Sequence, residues 1–209
     1  MNYSAIILSG GSSKRFGRNK SLAKLIGKPM ITYVVDSVAP FVDEVIVTTD
    51  KEDNRSELSK ILDPSVKILL DEYEPKSPVI GSLTGFKNAR GKHSILLACD
   101  TPLLSSEVTS LLLELSEDYD AVIPRWPNGY IEPLQATYDT RKAYEASLET
   151  VNHGELKMSA IIARLRRVLY LSTIALSKFD PKLNTFLNVN TPDELLRIER
   201  ILRTDRRQR

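Results

Sequence analysis

Cysteine is almost missing from this chain. The 209 residues hold one, Cys99, which excludes an internal disulfide framework and any metal site built from several thiolates. A reducing compartment is the simpler expectation, with the cytoplasm as default. Histidine occurs twice, at His93 and His153, and neither has an evident route to Cys99, so the thiol reads as a small buried group rather than a nucleophile. Charge of one sign is also lacking: 29 Lys and Arg against 27 Asp and Glu leave +2, too little for a general electrostatic hold on nucleic acid or anionic lipid. No apolar run approaches the roughly 18 residues of a membrane span, and Met1 opens onto a short strand-like segment without a basic leader, so neither a span nor an export signal is expected. Internal repeats and low-complexity linkers are absent too. Residues 1–209 therefore read as a single domain.

What is present is an alternation. Short apolar runs recur at Ala5 to Leu8, Glu44 to Thr49, Val66 to Leu70, Ser94 to Cys99 and Ala121 to Ile123. They do not alternate strictly with polar residues, which suits strands covered on both faces of a mostly parallel sheet. Helical patterns separate them. Met30, Ile31, Val34, Val35 and Val38 share one face after Pro29, and Val108, Leu111, Leu112 and Leu115 do so within Ser106 to Leu115. Helices are also expected at Asn54 to Leu62 and Gly81 to Ala89. This is the doubly wound pattern of an α/β protein. Beyond it, Glu132 to Tyr138 and Val168 to Leu171 read as strands, Asp139 to Glu149 and Met158 to Leu165 as helices, and Phe186 to Asn190 as a last strand. Thr191-Pro192-Asp193-Glu194 then combines an N-cap, a proline at the first helical position and a capping box. The arginines of the tail, Arg203, Arg206, Arg207 and Arg209, read as a solvated end.

The first strand runs into Leu8-Ser9-Gly10-Gly11, followed by Arg15 and Lys20. Ligands of open α/β sheets bind beyond the carboxyl ends of the strands, and paired glycines let backbone N–H groups approach a phosphate. Arg15 and Lys20 add mobile positive charge. The spacing fits neither the dinucleotide fingerprint nor the P-loop, because Phe16 stands where the latter's second glycine belongs. Asp100 follows the buried run Ser94 to Cys99 on the same edge. A lone carboxylate there suits Mg²⁺ on a nucleoside triphosphate, and equally a loop or capping role. Asp71 closes another strand on that edge, and Asn188 and Asn190 alternate onto one face. Gly81-Ser82-Leu83-Thr84-Gly85 reads either as a tight strand-to-helix loop near a ligand or as helix packing. Trp126, Tyr130 and Tyr138 read as packing.

Together these segments resemble the nucleotidyltransferases related to molybdenum cofactor guanylyltransferase. LSGGSSKRFGRNK is similar to that family's Leu-Ala-Gly-Gly turn followed by Ser-x-Arg-x-Gly and a lysine. Gly81 to Gly85, Asp100-Thr101-Pro102, Glu132-Pro133-Leu134 and Phe186 to Pro192 match further family segments in order, and the likeness spans residues 5 to 195. Ser9, Ser82, Glu132 and Asn19 stand where the family usually has Ala, Pro, Gln and Asp.

The resemblance implies a three-layer α/β/α fold around a mostly parallel, Rossmann-like sheet. It implies Mg²⁺-dependent transfer of GMP from GTP to the terminal phosphate of molybdopterin, with pyrophosphate released. Leu8, Ser9, Gly10 and Gly11 would bind the nucleotide, Arg15 and Lys20 would neutralise the triphosphate, and Asp71 would bind the nucleoside end. Asp100 would bind nucleotide and Mg²⁺, and Asn188 and Asn190 would face the acceptor or metal. Another donor or acceptor, such as CTP or a sugar 1-phosphate, and a non-catalytic nucleotide-binding module are the alternatives. Transient contact with molybdoenzymes or other cofactor-biosynthesis proteins is also expected.

Overall fold

In the computed structural model, residues 2–10 and 20–208 are described, with side chains to residue 204. The strands are β1 (Tyr3–Leu8), β2 (Lys24–Leu25), β3 (Lys28–Pro29), β4 (Glu44–Thr49), β5 (Lys67–Leu70), β6 (His93–Ala98), β7 (Ala121–Arg125), β8 (Gln135–Asp139) and β9 (Val168–Ser172). The helices are α1 (Met30–Val38), α2 (Glu52–Ile61), α3 (Pro78–Asn88), α4 (Ser106–Leu115), α5 (Thr140–Asn152), α6 (Met158–Ala163), α7 (Thr173–Leu176) and α8 (Pro192–Gln208). No helix among the described residues is long and apolar enough to cross a membrane.

Seven strands form one sheet in the order β5-β4-β1-β6-β8-β7-β9. β5, β4, β1 and β6 are mutually parallel, while β8 runs antiparallel to both β6 and β7. The sheet is thus the mostly parallel one that uninterrupted apolar runs require. Successive residues of β1 serve opposite faces: Ala5 and Ile7 join one apolar cluster with α1 and α4 residues, and Ile6 and Leu8 join the other with α3 and α5 residues. All four are buried. Fully burying each of the larger side chains contributes about 1.5–3 kcal/mol.

Two expectations are corrected and one open reading is settled. Gly81 to Gly85, which read as a loop or as helix packing, lies inside α3, and the helix expected from Gly81 starts earlier, at Pro78, where the Ser77 hydroxyl accepts the Ile80 N–H. The two glycines seat the helix against the sheet. A Cβ on Gly81 would stand 3.0 Å from Thr48 Oγ1, and one on Gly85 would overlap the Ile6 side chain. The strand expected from Glu132 starts only at Gln135, since Pro133 has no N–H for a ladder.

Phe186 to Asn190 forms no strand either. A 3-10 turn at Asn184–Phe186 leads into irregular chain, and a single bond, Val189 N–H to Asp100 O at 2.9 Å, ties it to the sheet edge. Both neighbours of β6 are already taken by β1 and β8, so no ladder position remains. The following N-cap stands: Thr191 Oγ1 accepts the Glu194 N–H at 3.2 Å, and the Glu194 carboxylate reaches back to the N–H groups of Asn190 and Thr191.

Helix α8 covers the β2–β3 hairpin, with Leu25, Met30, Val189 and Ile198 forming a separate apolar cluster. The hairpin turn places Ile26 at φ 47° and Gly27 at φ 82°, and the first is strained for a β-branched residue. The Glu199 carboxylate on α8 accepts the Ile26 N–H at 3.1 Å and holds the turn.

Gly85→Ala tests the close seating of α3. Overpacking against Ile6 should lower unfolding free energy by about 1–3 kcal/mol in denaturant titration. Unchanged stability would mean that Ile6 repacks without strain.

Candidate active site

β1, β4, β5 and β6 end on one edge, and the residues that follow them define the site. Asp100 leaves β6, one strand from β1 and three from β5, so roughly 14 Å of sheet separates the ends of β5 and β6. Lys20 reaches Asp100 from a turn that precedes β2. Its ammonium donates to Asp100 Oδ2 at 2.5 Å and to Asn190 Oδ1 at 2.7 Å, contacts that span 80 and 170 residues of chain. Asn190 is held for this by the Val189 bond to the Asp100 carbonyl and by Glu194 on its own N–H.

The structure therefore brings together three of the residues singled out from sequence. The Lys20 and Asp100 side chains are largely shielded, at 16% and 19% exposure, so the pair is screened less than a surface ion pair, while Asn190 is exposed. Asp100 Oδ1 is buried and accepts no hydrogen bond among the described residues. A buried carboxylate oxygen of this kind has room for a further cation or donor. Among the described residues no cluster of three or more His, Cys, Asp or Glu could hold a metal. A single carboxylate fits Mg²⁺, which draws its remaining ligands from phosphate and water, better than it fits a metal needing an all-protein cage.

The glycine turn is described only to Gly10; Gly11 and Arg15 lie outside the described residues. Leu8 remains in the sheet, and its carbonyl accepts the Cys99 N–H at 3.1 Å. Ser9 is buried, with its N–H bonded to Thr48 O and its carbonyl accepting from Thr49 Oγ1. Gly10 differs. It is exposed, its φ is not positive, and a Cβ there would meet only ordinary contact with Asp50 at 3.5 Å. Nothing within the described protein requires glycine at this position, unlike Gly81 and Gly85. The remaining reason for glycine is something that approaches from outside.

Asp71 sits at the end of β5 with its N–H bonded to Thr49 O. Burial pushes its carboxyl up to about 6, partly offset by the Thr84 hydroxyl and the Lys76 charge. Oδ1 is buried without a partner among the described residues, so this carboxyl can take a further donor. Asn188 is exposed beside buried Val189, and among the described residues no bond ties it to Lys20 or Asp100.

Cys99 is buried with its thiol pushed up to about 12 by desolvation, which excludes thiolate chemistry at neutral pH. His93 is buried at the opposite end of β6, where burial holds its ring below the usual imidazole range. Tyr138 is a core residue, as expected, edge-on to Phe86. Sequence reasoning passed over Glu132 except as a departure from the family pattern. It is half-buried in the β7–β8 connection, where its carboxylate accepts the Trp126 indole N–H at 2.7 Å. Burial raises its carboxyl above the ordinary glutamate value, against that bond.

A mostly parallel sheet whose edge carries an exposed glycine and a shielded Lys–Asp pair with a carboxylate oxygen to spare suits an α/β protein that binds a phosphate-bearing ligand with a cation. Comparison with known proteins supplies the class, a nucleotidyltransferase. The family model of the MobA-like NTP transferase domain matches residues 5–168, and the chain belongs to that family. A probable molybdenum cofactor guanylyltransferase of Methanosarcina mazei is 29% identical over 92% of this chain and 88% of its own. The molybdenum cofactor guanylyltransferase of Desulfosudis oleivorans is 30% identical over 96% of each chain. The crystal structure of molybdopterin-guanine dinucleotide biosynthesis protein A from Archaeoglobus fulgidus superposes with a TM-score of 0.82 at 28% identity, covering 96% of this chain and 99% of that one.

The Asp71 carboxyl gives a prediction with a definite sign. Its folded value, about 6, lies above the ordinary 3.8, so the folded chain binds more protons between these values. The contribution of Asp71 to stability is therefore full below about 4 and lost as pH rises to about 6. In ligand-free protein Asp71→Asn should flatten the stability profile across that window and raise the thermal midpoint at pH 8. An unchanged profile would place the desolvation elsewhere.

Proposed function

We propose that this chain, working as one domain in the cytoplasm, transfers GMP from GTP to the terminal phosphate of molybdopterin and releases pyrophosphate, with Mg²⁺ required. The observation that carries this reading is the meeting of Lys20, Asp100 and Asn190 beside an Asp100 oxygen that lacks a partner. The relatives named above supply the donor and acceptor by analogy.

The reaction is an in-line displacement. An oxygen of the acceptor phosphate forms a bond to the α-phosphorus of GTP, and the bond from that phosphorus to the oxygen bridging to the β-phosphorus breaks. Pyrophosphate leaves with that electron pair. A phosphate monoester is already ionised at neutral pH, so no general base is needed. The work lies in positioning and in charge neutralisation at a shielded edge.

Asp100 would hold Mg²⁺, which when bound supplies positive charge to the triphosphate oxygens. Lys20, which reaches the same edge beside Asp100, would offer its ammonium to the departing pyrophosphate. The backbone around Gly10 admits the phosphates closely because no Cβ stands there. Asp71 receives the nucleoside end with its unpartnered oxygen. Asn190, presented on the acceptor side of Asp100, orients the attacking phosphate.

Calorimetric titration with GTP, CTP, ATP and UTP in Mg²⁺ tests the donor. GTP should bind most tightly, and Asp100→Ala should weaken it at least tenfold. A preference for CTP would keep the fold and change the product. Turnover of Asp100→Ala at the wild-type rate would remove the metal role.

Lys20→Ala should cost about 2–4 kcal/mol in kcat if the ammonium meets charge that develops on the leaving group. A rate unchanged at saturating GTP would confine Lys20 to ground-state binding.

A further inference from the structure

The catalytic edge has two sides about Asp100. On one side lie the ends of β1, β4 and β5, which carry the glycine turn and Asp71. On the other lie β8, β7 and the connection between them, residues 126–134, to which the reaction above assigns no role.

That connection is well held. Trp126 N–H donates to Tyr130 O at 2.8 Å, Gly129 N–H to Trp126 O at 2.9 Å, and Glu132 N–H to Pro124 O at 2.9 Å. It is also laced to the site from two directions. Leu134 O accepts the Ala98 N–H at 3.1 Å, at the end of the strand that Asp100 follows. The Trp126 ring packs edge-on against Phe186 at 5.8 Å, and Phe186 leads directly into the segment carrying Val189 and Asn190. Glu132, two residues before Leu134, is therefore held in a connection tied both to the end of β6 and to the chain that leads to Asn190.

Its carboxylate is half committed. The Trp126 indole N–H donates to Oε1, Oε2 is open to solvent and so to a ligand, and among the described residues no Lys or Arg forms an ion pair with the carboxylate. A half-desolvated carboxylate without a cation gains most from a ligand that presents two parallel N–H donors, because each new bond replaces lost water. A 2-amino-pyrimidin-4-one ring presents that edge, a ring N–H beside an exocyclic amine. Under the proposed reaction both substrates carry one, guanine in the donor and the pterin in the acceptor. Asp71 stands on the nucleotide side, and Glu132 stands across Asp100 from it.

We propose that Glu132, oriented by the Trp126 indole, receives the amino-pyrimidinone edge of the acceptor's pterin ring and so selects the acceptor. The inference rests on the proposed guanylyl transfer to molybdopterin and assigns its acceptor subsite. The glutamine usual in the family at this position offers one acceptor and one donor, so this chain would grip the two-donor edge more strongly than a glutamine could.

The test uses Glu132→Gln in the full chain, which keeps an oxygen for the Trp126 indole. Three probes are titrated calorimetrically in Mg²⁺: a pterin bearing a phosphate monoester side chain, the same compound with oxygen in place of the 2-amino group, and GTP. Trp126 is the sole tryptophan, so its emission reports locally on the subsite. In the wild type the pterin phosphate should bind at least tenfold more tightly than its oxo analogue and should perturb Trp126 emission. In Glu132→Gln that ratio should collapse while GTP affinity stays within twofold of wild type, which also shows that the variant is folded.

Retention of the pterin preference in Glu132→Gln would overturn the assignment alone. Loss of GTP affinity in a folded variant with pterin binding intact would move Glu132 to the guanine and overturn it likewise. A wild type that binds GTP but not the pterin phosphate would overturn the proposed acceptor together with this subsite.

Discussion

A carboxylate that water cannot fully reach sets the terms for the whole catalytic edge. Asp100 follows β6, a strand with a neighbour on each side, and is covered by the chain that returns through Val189. A shielded carboxylate loses part of its hydration and has to be met by charge or donors from nearby. Lys20 answers for one oxygen, and its ammonium takes the place that the proposed function gives to a cation brought with the nucleotide.

Several features otherwise distant from chemistry exist to keep that meeting possible. The two glycines of α3 let the helix sit directly on β1 and β4, which fixes the sheet from which β1 and β6 emerge. The bond between Glu199 and the strained Ile26 turn holds the hairpin that follows Lys20. Glu194 fixes the N–H of Asn190 while Val189 grips the Asp100 carbonyl. Helix α8 thus serves as a brace from outside the sheet, holding two pieces of chain from opposite ends of the sequence against the same carboxylate.

Much of this was legible in the sequence, for reasons that differ by region. The parallel half could be read because strands buried on both faces leave uninterrupted apolar runs, and the ends of β4 and α4 fall where those runs end. Asp71 and Asp100 were legible as strand-end carboxylates, although nothing in the sequence shows that burial raises the Asp71 carboxyl above its ordinary value. Phe186 to Asn190 misled because Phe-Leu-Asn-Val-Asn alternates like a strand. Only the crowding of β6 by its two neighbours shows why it cannot be one. Gly81 to Gly85 could be read two ways because its composition suits a loop as well as a packed helix, and what decides for the helix is the close approach of Ile6, about 80 residues away in the chain. Glu132 was visible as an unusual residue, but its desolvation and its bond to an indole depend on how the β7–β8 connection folds back.

The span between Lys20 and Asn190 also bears on the life of the chain before it is an enzyme. Synthesis proceeds from the N-terminus, and contacts that close long loops must wait for both partners. Strands β1, β4, β5 and β6 can assemble early on the ribosome, but Val189, Asn190 and the bracing helix follow β6 by about 90 residues. The meeting of Lys20, Asp100 and Asn190 is therefore completed late in synthesis. A copy clipped ahead of Val189 would carry the edge of the sheet without the residues that close it.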